Sequence, residues 1–313
     1  MSASPRLPNF VIGGTEKAGT TSVFDWLSVH PQVCASTRKE TDFFREDFSG
    51  DLHLDRLRYA SYFERCADDR PVVMEASPGY LGEAAVVAPR MRLLTPGTRL
   101  LFILRDPIDR LYSSYHFHRG KLNLPQELSF EDYVDRCLRF ERQGVSPAEL
   151  GLDEWYLKVL RFGSYADFIA IYRSKLPARN IKVMFFESLR HDARAFMTEL
   201  SAFVGIDQGF WEEFEFRKSN VTFSARLKGL HRIAMLANRA AEPVLRRYPG
   251  IKQSLVSTYK SFNQEREGYE PMPATVRSRL VEYYAPGVHA LRRQLGVRLP
   301  ASWNYFMRVK VAA

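Results

Sequence analysis

Four short apolar runs decide what this chain can fold into. Asn9 to Ile12, Val72 to Glu75, Arg99 to Leu104 and Ile181 to Phe186 are each four to six residues long. Runs of that length, bounded by turn residues, read as buried strands. Gly13-Gly14 follows the first, Ala76-Ser77-Pro78-Gly79 the second and Asp106-Pro107 the third. Helical patterns lie between and after them. Val23, Phe24 and Leu27 share one face of a stretch from about Thr20 to Val29, with Pro31 beyond it. Asp106 can cap, and Pro107 begin, a helix through about Arg119. Tyr165 to Ser174 and Ala193 to Val204 flank the last strand. Strands that alternate with helices must be joined by crossovers. The expected class is therefore α/β: a three-layer α/β/α arrangement around a central parallel sheet.

Further helical patterns run from about Leu122 to Arg161 with a break at Gly144 to Pro147, from Ala225 to Ala241, and from about Ala274 to Leu295. They imply a mostly helical C-terminal lobe. The expected organisation is a single domain over 1–313, with a core at about 9–205 and a helical, basic part at about 217–313. The 313 residues carry 45 Lys and Arg against 36 Asp and Glu, a net charge of +9. Ten of those cations and a single acid, Glu242, fall between Arg217 and Lys260, so the rest of the chain balances. A located basic segment points to an anion-facing surface, against the alternative of a solvated helical face. Hydrophobic residues at 45% and charged residues at 26% exclude wholesale disorder. No run of 18 apolar residues is present, and Met1 to Pro8 lacks the apolar core of a signal peptide. Three dispersed cysteines, Cys34, Cys66 and Cys137, predict no disulfide framework and a reducing compartment. No Cys–His cluster has zinc spacing. The expectation is a soluble cytoplasmic protein.

The chemistry begins at the turn after the first strand. Gly14-Thr15-Glu16-Lys17-Ala18-Gly19-Thr20-Thr21-Ser22 joins that strand to a helix start. A glycine-rich turn there directs backbone N–H groups outward, and the helix N-terminus adds partial positive charge. Lys17 supplies a point charge; Thr20, Thr21 and Ser22 supply hydroxyls. Gly14 and Gly19 have the Walker A spacing, but Thr20 stands where the nucleoside-triphosphate lysine belongs. The reading is a P-loop-like phosphate site without that lysine, with an ordinary tight strand–helix turn as the alternative.

With Arg105-Asp106-Pro107 and Ser113 eight residues after the Arg, these motifs resemble the sulfotransferases that use 3′-phosphoadenosine 5′-phosphosulfate (PAPS). The resemblance covers most of 9–205, including Gly163-Ser164-Tyr165 and Glu187-Ser188-Leu189, and is nearest to bacterial relatives of the heparan-sulfate branch. It implies that Lys17, Ala18, Gly19, Thr20, Thr21 and Ser22 hold the 5′-phosphosulfate, and that Arg105 and Ser113 hold the 3′-phosphate. Two anion sites at the carboxyl ends of parallel strands agree with where ligands bind in open α/β sheets.

The resemblance also implies a general base. Glu40-x-x-Phe43-Phe44 matches the heparan-sulfate register, so Glu40 is the expected base, with Lys17 stabilising the leaving bisphosphate. A base gains from partial burial near the substrate. The alternatives are that Glu40 pairs with Arg38 or Lys39 at the surface, and that His116 or His118 is the base; packing is the other role for those histidines. The chain departs from the pattern at Glu75-Ala76-Ser77-Pro78, where many heparan-sulfate enzymes have a lysine at the second position. In the basic segment, Arg217, Lys218, Arg226 and Lys228 are candidates to close over the adenosine end of the cofactor. The expected activity is transfer of a sulfuryl group to a hydroxyl on a saccharide or small metabolite, without nucleic acid or a metal. Two other readings stand beside it: a P-loop kinase, and a polyanion- or membrane-surface-binding protein with a vestigial loop. Peripheral membrane contact through Ala225 to Ala241 belongs to the last of these.

Overall fold

The computed structural model describes residues 6–66, 69–217 and 271–309. Its strands are β1 (Phe10–Gly14), β2 (Val33–Ala35), β3 (Val72–Ala76), β4 (Arg99–Leu104) and β5 (Ile181–Phe185). They form one sheet in the order β2-β3-β1-β4-β5, with every pairing parallel. Ile12 pairs with Ala76 on one side and Leu101 on the other, so the carboxyl ends of β1, β3 and β4 lie side by side. That placement positions the site.

The helices are α1 (Thr20–Ser28), α2 (Phe43–Glu46), α3 (Leu52–Ala60), α4 (Ala84–Leu94), α5 (Pro107–Gly120), α6 (Phe130–Gln143), α7 (Pro147–Leu150), α8 (Glu154–Lys158), α9 (Tyr165–Lys175), α10 (Phe186–His191), α11 (Ala193–Val204) and α12 (Ala274–Leu295). Strand alternation sorts them into layers. Phe10, Ile12, Met74, Leu101 and Ile103 face one side, where Val23 and Leu27 of α1 and Met197 and Leu200 of α11 cover them. Each such buried aliphatic side chain is worth roughly 1.5–3 kcal/mol. Phe102 faces the other side and meets the Tyr172 ring of α9 at 4.8 Å, and α9 packs on α4. The result is the expected three-layer fold around a parallel sheet.

The chain divides into two compact units, one of 1–110, 161–220 and 278–313, the other of 111–160 and 221–277. Within the first, α12 buries Leu280, Tyr284, Val288 and Leu291 at helical spacing. A 3-10 segment, Ala301–Arg308, follows it and buries Trp303 and Phe306. Within the second, Ser129 caps α6 by accepting from Asp132 N at 3.0 Å. Tyr115 and Tyr133 there donate to the carbonyls of Leu128 and Tyr156 at 2.5 and 2.7 Å. The expected stretch from Leu122 to Arg161 is helical only over α6, α7 and α8. The helix expected over Ala225 to Ala241, and the basic segment after Arg217, lie outside the described residues. Among the described residues, no helix is long and apolar enough to cross a membrane.

One expectation is corrected. Cys34 on β2 and Cys66 form a disulfide, with Cα atoms 5.5 Å apart, across 32 residues of sequence. The strand brings together two residues that spacing alone kept apart, and the inference to a reducing, cytoplasmic compartment loses its basis. Cys137 is the free thiol; burial pushes it up to about 12, so it is unreactive at neutral pH. Alkylation in denaturant without reductant is expected to label Cys137 alone, and all three cysteines after reduction. Labelling of all three before reduction would contradict the pairing.

Candidate functional site

Gly19 sets the shape of the loop after β1. It is the N-cap of α1 with φ of 81°, a left-handed conformation that favours glycine. A Cβ there would stand 2.7 Å from Leu189 Cδ2 and 3.2 Å from the Phe186 ring, so the loop can lie against α10 only with glycine at this point. Lys17 also has positive φ, at 64°. Turning twice into that region within three residues wraps the backbone around a small space. The first turn of α1 has neither a side-chain cap nor an acid, and it begins Thr20-Thr21-Ser22. A helix start with no side-chain cap and no acid has backbone amide groups of the kind that suit an anion. The loop is anchored by Thr15 N to Ile103 O at 2.9 Å.

Arg105, at the end of β4, donates from Nη1 to the Lys17 carbonyl at 2.9 Å. Its guanidinium lies over the Phe186 ring, 4.9 Å from the centroid, with Arg190 on the same ring at 6.0 Å. Burial lowers the proton affinity of Arg105 and Arg190 adds to that, while Asp109, Tyr165 and Glu187 oppose it. A partly desolvated guanidinium with a second cation nearby favours an anionic ligand. Asp106 caps α5, accepting from Ile108 N at 3.0 Å and Asp109 N at 3.2 Å. Ser113 lies buried on the same helix, two turns on.

The C-terminal segment supplies residues that the sequence did not reveal. Tyr305 donates to Asp106 Oδ2 at 2.5 Å. Glu187 Oε1 accepts from Asp106 N and from Trp303 Nε1, both at 2.9 Å. Tyr165 donates to the Arg105 carbonyl at 2.8 Å. The Arg105 carbonyl, the Asp106 amide and Asp106 Oδ2 are thereby each held from a distant part of the chain. Only Glu187 and Tyr165 carried a signal, as parts of motif-like segments.

Glu40 is at the same edge of the sheet. Its N–H donates to the Ala76 carbonyl at the end of β3 (2.8 Å), and Ser77 N donates to Ile12 O (3.1 Å). Beneath it, the buried Glu75 carboxylate accepts from Thr41 Oγ1 at 2.5 Å and Tyr59 OH at 2.8 Å. Burial raises the Glu75 pKa, and those hydroxyls offset part of the rise. The Glu40 side chain itself is 55% exposed and paired with Lys39 Nζ at 2.5 Å. This is the surface pairing that the sequence left open, and the partial burial expected of a base is not there.

The two histidines are packed among aromatic rings. His116 lies 4.4 Å from Tyr112 and 5.0 Å from Tyr115, and burial pushes it down to about 4, so it is neutral at physiological pH. His118 meets Trp155 and Tyr156 at 5.0 and 5.2 Å. Among the described residues, no group of His, Cys, Asp and Glu is arranged to hold a metal ion.

With this geometry in place, comparison with known proteins is informative. Residues 7–225 match the family model of the sulfotransferase domain. The chain is 32% identical over 146 residues to a membrane-associated sulfotransferase, kil1, of Dictyostelium discoideum, covering 42% of this chain and 30% of that protein. It is 28% identical over 232 residues to the human bifunctional heparan sulfate N-deacetylase/N-sulfotransferase 2, covering 66% of this chain and 24% of that one. A mouse heparan sulfate glucosamine 3-O-sulfotransferase 6 is 25% identical over 83% of this chain and 71% of its own. The chain thus spans 30% and 24% of the length of the first two proteins. A solved sulfotransferase from Alicyclobacillus acidocaldarius shares the fold, with a TM-score of 0.63 over 96% of this chain and 99% of that one, at 23% identity.

The Asp106 turn makes a pH prediction. Burial pushes the Asp106 carboxyl up to about 6, against the pull of Tyr305 and the two capping amides. A raised carboxyl favours folding in its protonated form, so that contribution is present below the ordinary carboxylate range and is lost as pH rises through about 6. Asp106→Asn keeps an oxygen for the cap but does not titrate. Urea unfolding should show wild-type stability falling relative to the variant by on the order of 2–3 kcal/mol between about pH 4 and about pH 7. Parallel profiles would show that Asp106 titrates normally.

Proposed function

Because this chain belongs to the sulfotransferases, we propose that it moves a sulfuryl group from PAPS to an acceptor hydroxyl, with a saccharide as the preferred class. The donor supplies a phosphosulfate anhydride, and its transfer leaves adenosine 3′,5′-bisphosphate. In this reading Lys17, Ala18, Gly19, Thr20, Thr21 and Ser22 hold the 5′-phosphosulfate; Arg105 and Ser113 hold the 3′-phosphate. The family match runs across residues of both compact units, which supports one sulfotransferase domain over 1–313. The names of the heparan sulfate relatives support a sugar acceptor. Ala76, where the heparan-sulfate pattern has lysine, sets this chain apart at the reaction centre.

The observation that carries the reading is the 2.9 Å bond between Arg105 Nη1 and the Lys17 carbonyl. It joins the segments that carry the two motifs, which supports one ligand with two phosphate groups. Lys17 stabilises charge that develops on the bisphosphate as the sulfuryl group departs. Glu40 takes the acceptor proton. Its side chain is accessible to an acceptor, and the backbone bond to Ala76 O fixes its Cα at the carboxyl edge of the sheet. Glu75, through Thr41, holds that segment in place.

Calorimetry with adenosine 3′,5′-bisphosphate separates these roles. Lys17→Ala and Arg105→Ala should each weaken binding by about tenfold to a hundredfold, as expected for loss of a charge-assisted contact. Glu40→Gln should bind normally yet lose about 10²–10⁴ in turnover of labelled PAPS with a saccharide acceptor. Normal binding by the Lys17 variant would remove the cofactor assignment. Unchanged turnover by the Glu40 variant would remove the base.

A further inference from the structure

The Phe186 ring carries two guanidinium groups, and neither forms an ion pair among the described residues. Arg105 lies over the ring with Cζ 4.9 Å from the centroid, and Arg190 with Cζ at 6.0 Å. Phe186 and Arg190 are four residues apart on α10, so helical spacing puts both side chains on one face of that helix. The same helix meets the phosphate loop, because Leu189 and Phe186 are what a Cβ on Gly19 would strike. Arg190 is exposed, and the acids nearest to it in sequence are engaged elsewhere. Glu187 Oε1 accepts from Asp106 N and Trp303 Nε1, and Asp192 Oδ1 accepts from Ala195 N at 2.9 Å. Two cations on one ring repel each other, and an anion that both can reach turns that cost into attraction.

We propose that Arg190 binds the donor, a role that rests on the PAPS reading above: it joins Arg105 in holding the 3′-phosphate. A phosphate monoester carries about −1.5 to −2 charges near neutral pH, more than one guanidinium balances. Arg105 commits Nη1 to the Lys17 carbonyl, which fixes its place at the end of β4. Arg190 supplies the second charge from the exposed side, on a side chain whose planar fork suits phosphate oxygens. The short helix after β5 thereby takes part in recognising the donor as well as in packing against the loop. Arg190 distinguishes a nucleotide with a 3′-phosphate from one without it.

The test is calorimetry of the full chain with adenosine 3′,5′-bisphosphate and, separately, adenosine 5′-monophosphate. Arg190→Gln should weaken bisphosphate binding by about threefold to tenfold and leave monophosphate binding within about twofold of wild type. Arg190→Glu reverses the charge and should weaken the bisphosphate further than Arg190→Gln does. Because the side chain is exposed, both variants are expected to melt at the wild-type temperature. A purely structural role for Arg190 predicts the same loss with both nucleotides, since they differ only in the 3′-phosphate. Equal weakening of the two, unchanged bisphosphate binding by Arg190→Gln, or an Arg190→Glu variant that binds as well as Arg190→Gln would each overturn the proposal. Wild-type protein that binds the two nucleotides equally would defeat the two-phosphate reading itself, and the proposal with it.

Discussion

The bond between the Arg105 guanidinium and the Lys17 carbonyl is the constraint on which the site depends. It fixes the end of β4 against the loop after β1, and parallel pairing of those strands makes the two ends neighbours. Lys17 and Gly19 both have left-handed backbone in this loop, and a Cβ on Gly19 would meet Leu189. If the two strands were out of register, the loop and the arginine would be separate surface features. With the register as it is, two families of donors converge on one region. The sheet thus brings two sequence-distant motifs to one edge, where ligands bind in open α/β sheets.

Charge within the site is balanced by groups from far along the chain. Asp106 caps α5, accepts from Tyr305 and is held above the usual carboxylate range by burial. Glu187 bridges Asp106 N and Trp303 Nε1. Glu16 meets Arg110 from below. Each of these acids is engaged by hydrogen bonds or an ion pair.

Much of this was legible in the sequence, and the failures have physical causes. β1, β4 and β5 are apolar runs long enough to be read as buried strands, and α5 announces itself through the Asp106 cap and Pro107. β2 escaped because three residues give no periodicity, and α4 because Pro89 interrupts its pattern. The disulfide was missed because its partners are 32 residues apart in sequence and only Cys34 lies on a strand. Trp303 and Tyr305 reach the site across more than a hundred residues, where local pattern carries no information. The phosphate loop and Arg105 were legible because backbone geometry and charge type dictate them locally. Glu40 was legible as a register position only; its exposed side chain and its pairing with Lys39 are three-dimensional facts.

The central claim is that Lys17 and Arg105 act on two phosphate groups of one ligand. The most direct test compares calorimetric binding of adenosine 3′,5′-bisphosphate and adenosine 5′-monophosphate to the wild-type chain. The account predicts that the bisphosphate binds more tightly by about tenfold or more, since the 3′-phosphate adds charge-assisted bonds. Equal affinity for the two nucleotides would contradict it, because the second anion site would then have no ligand.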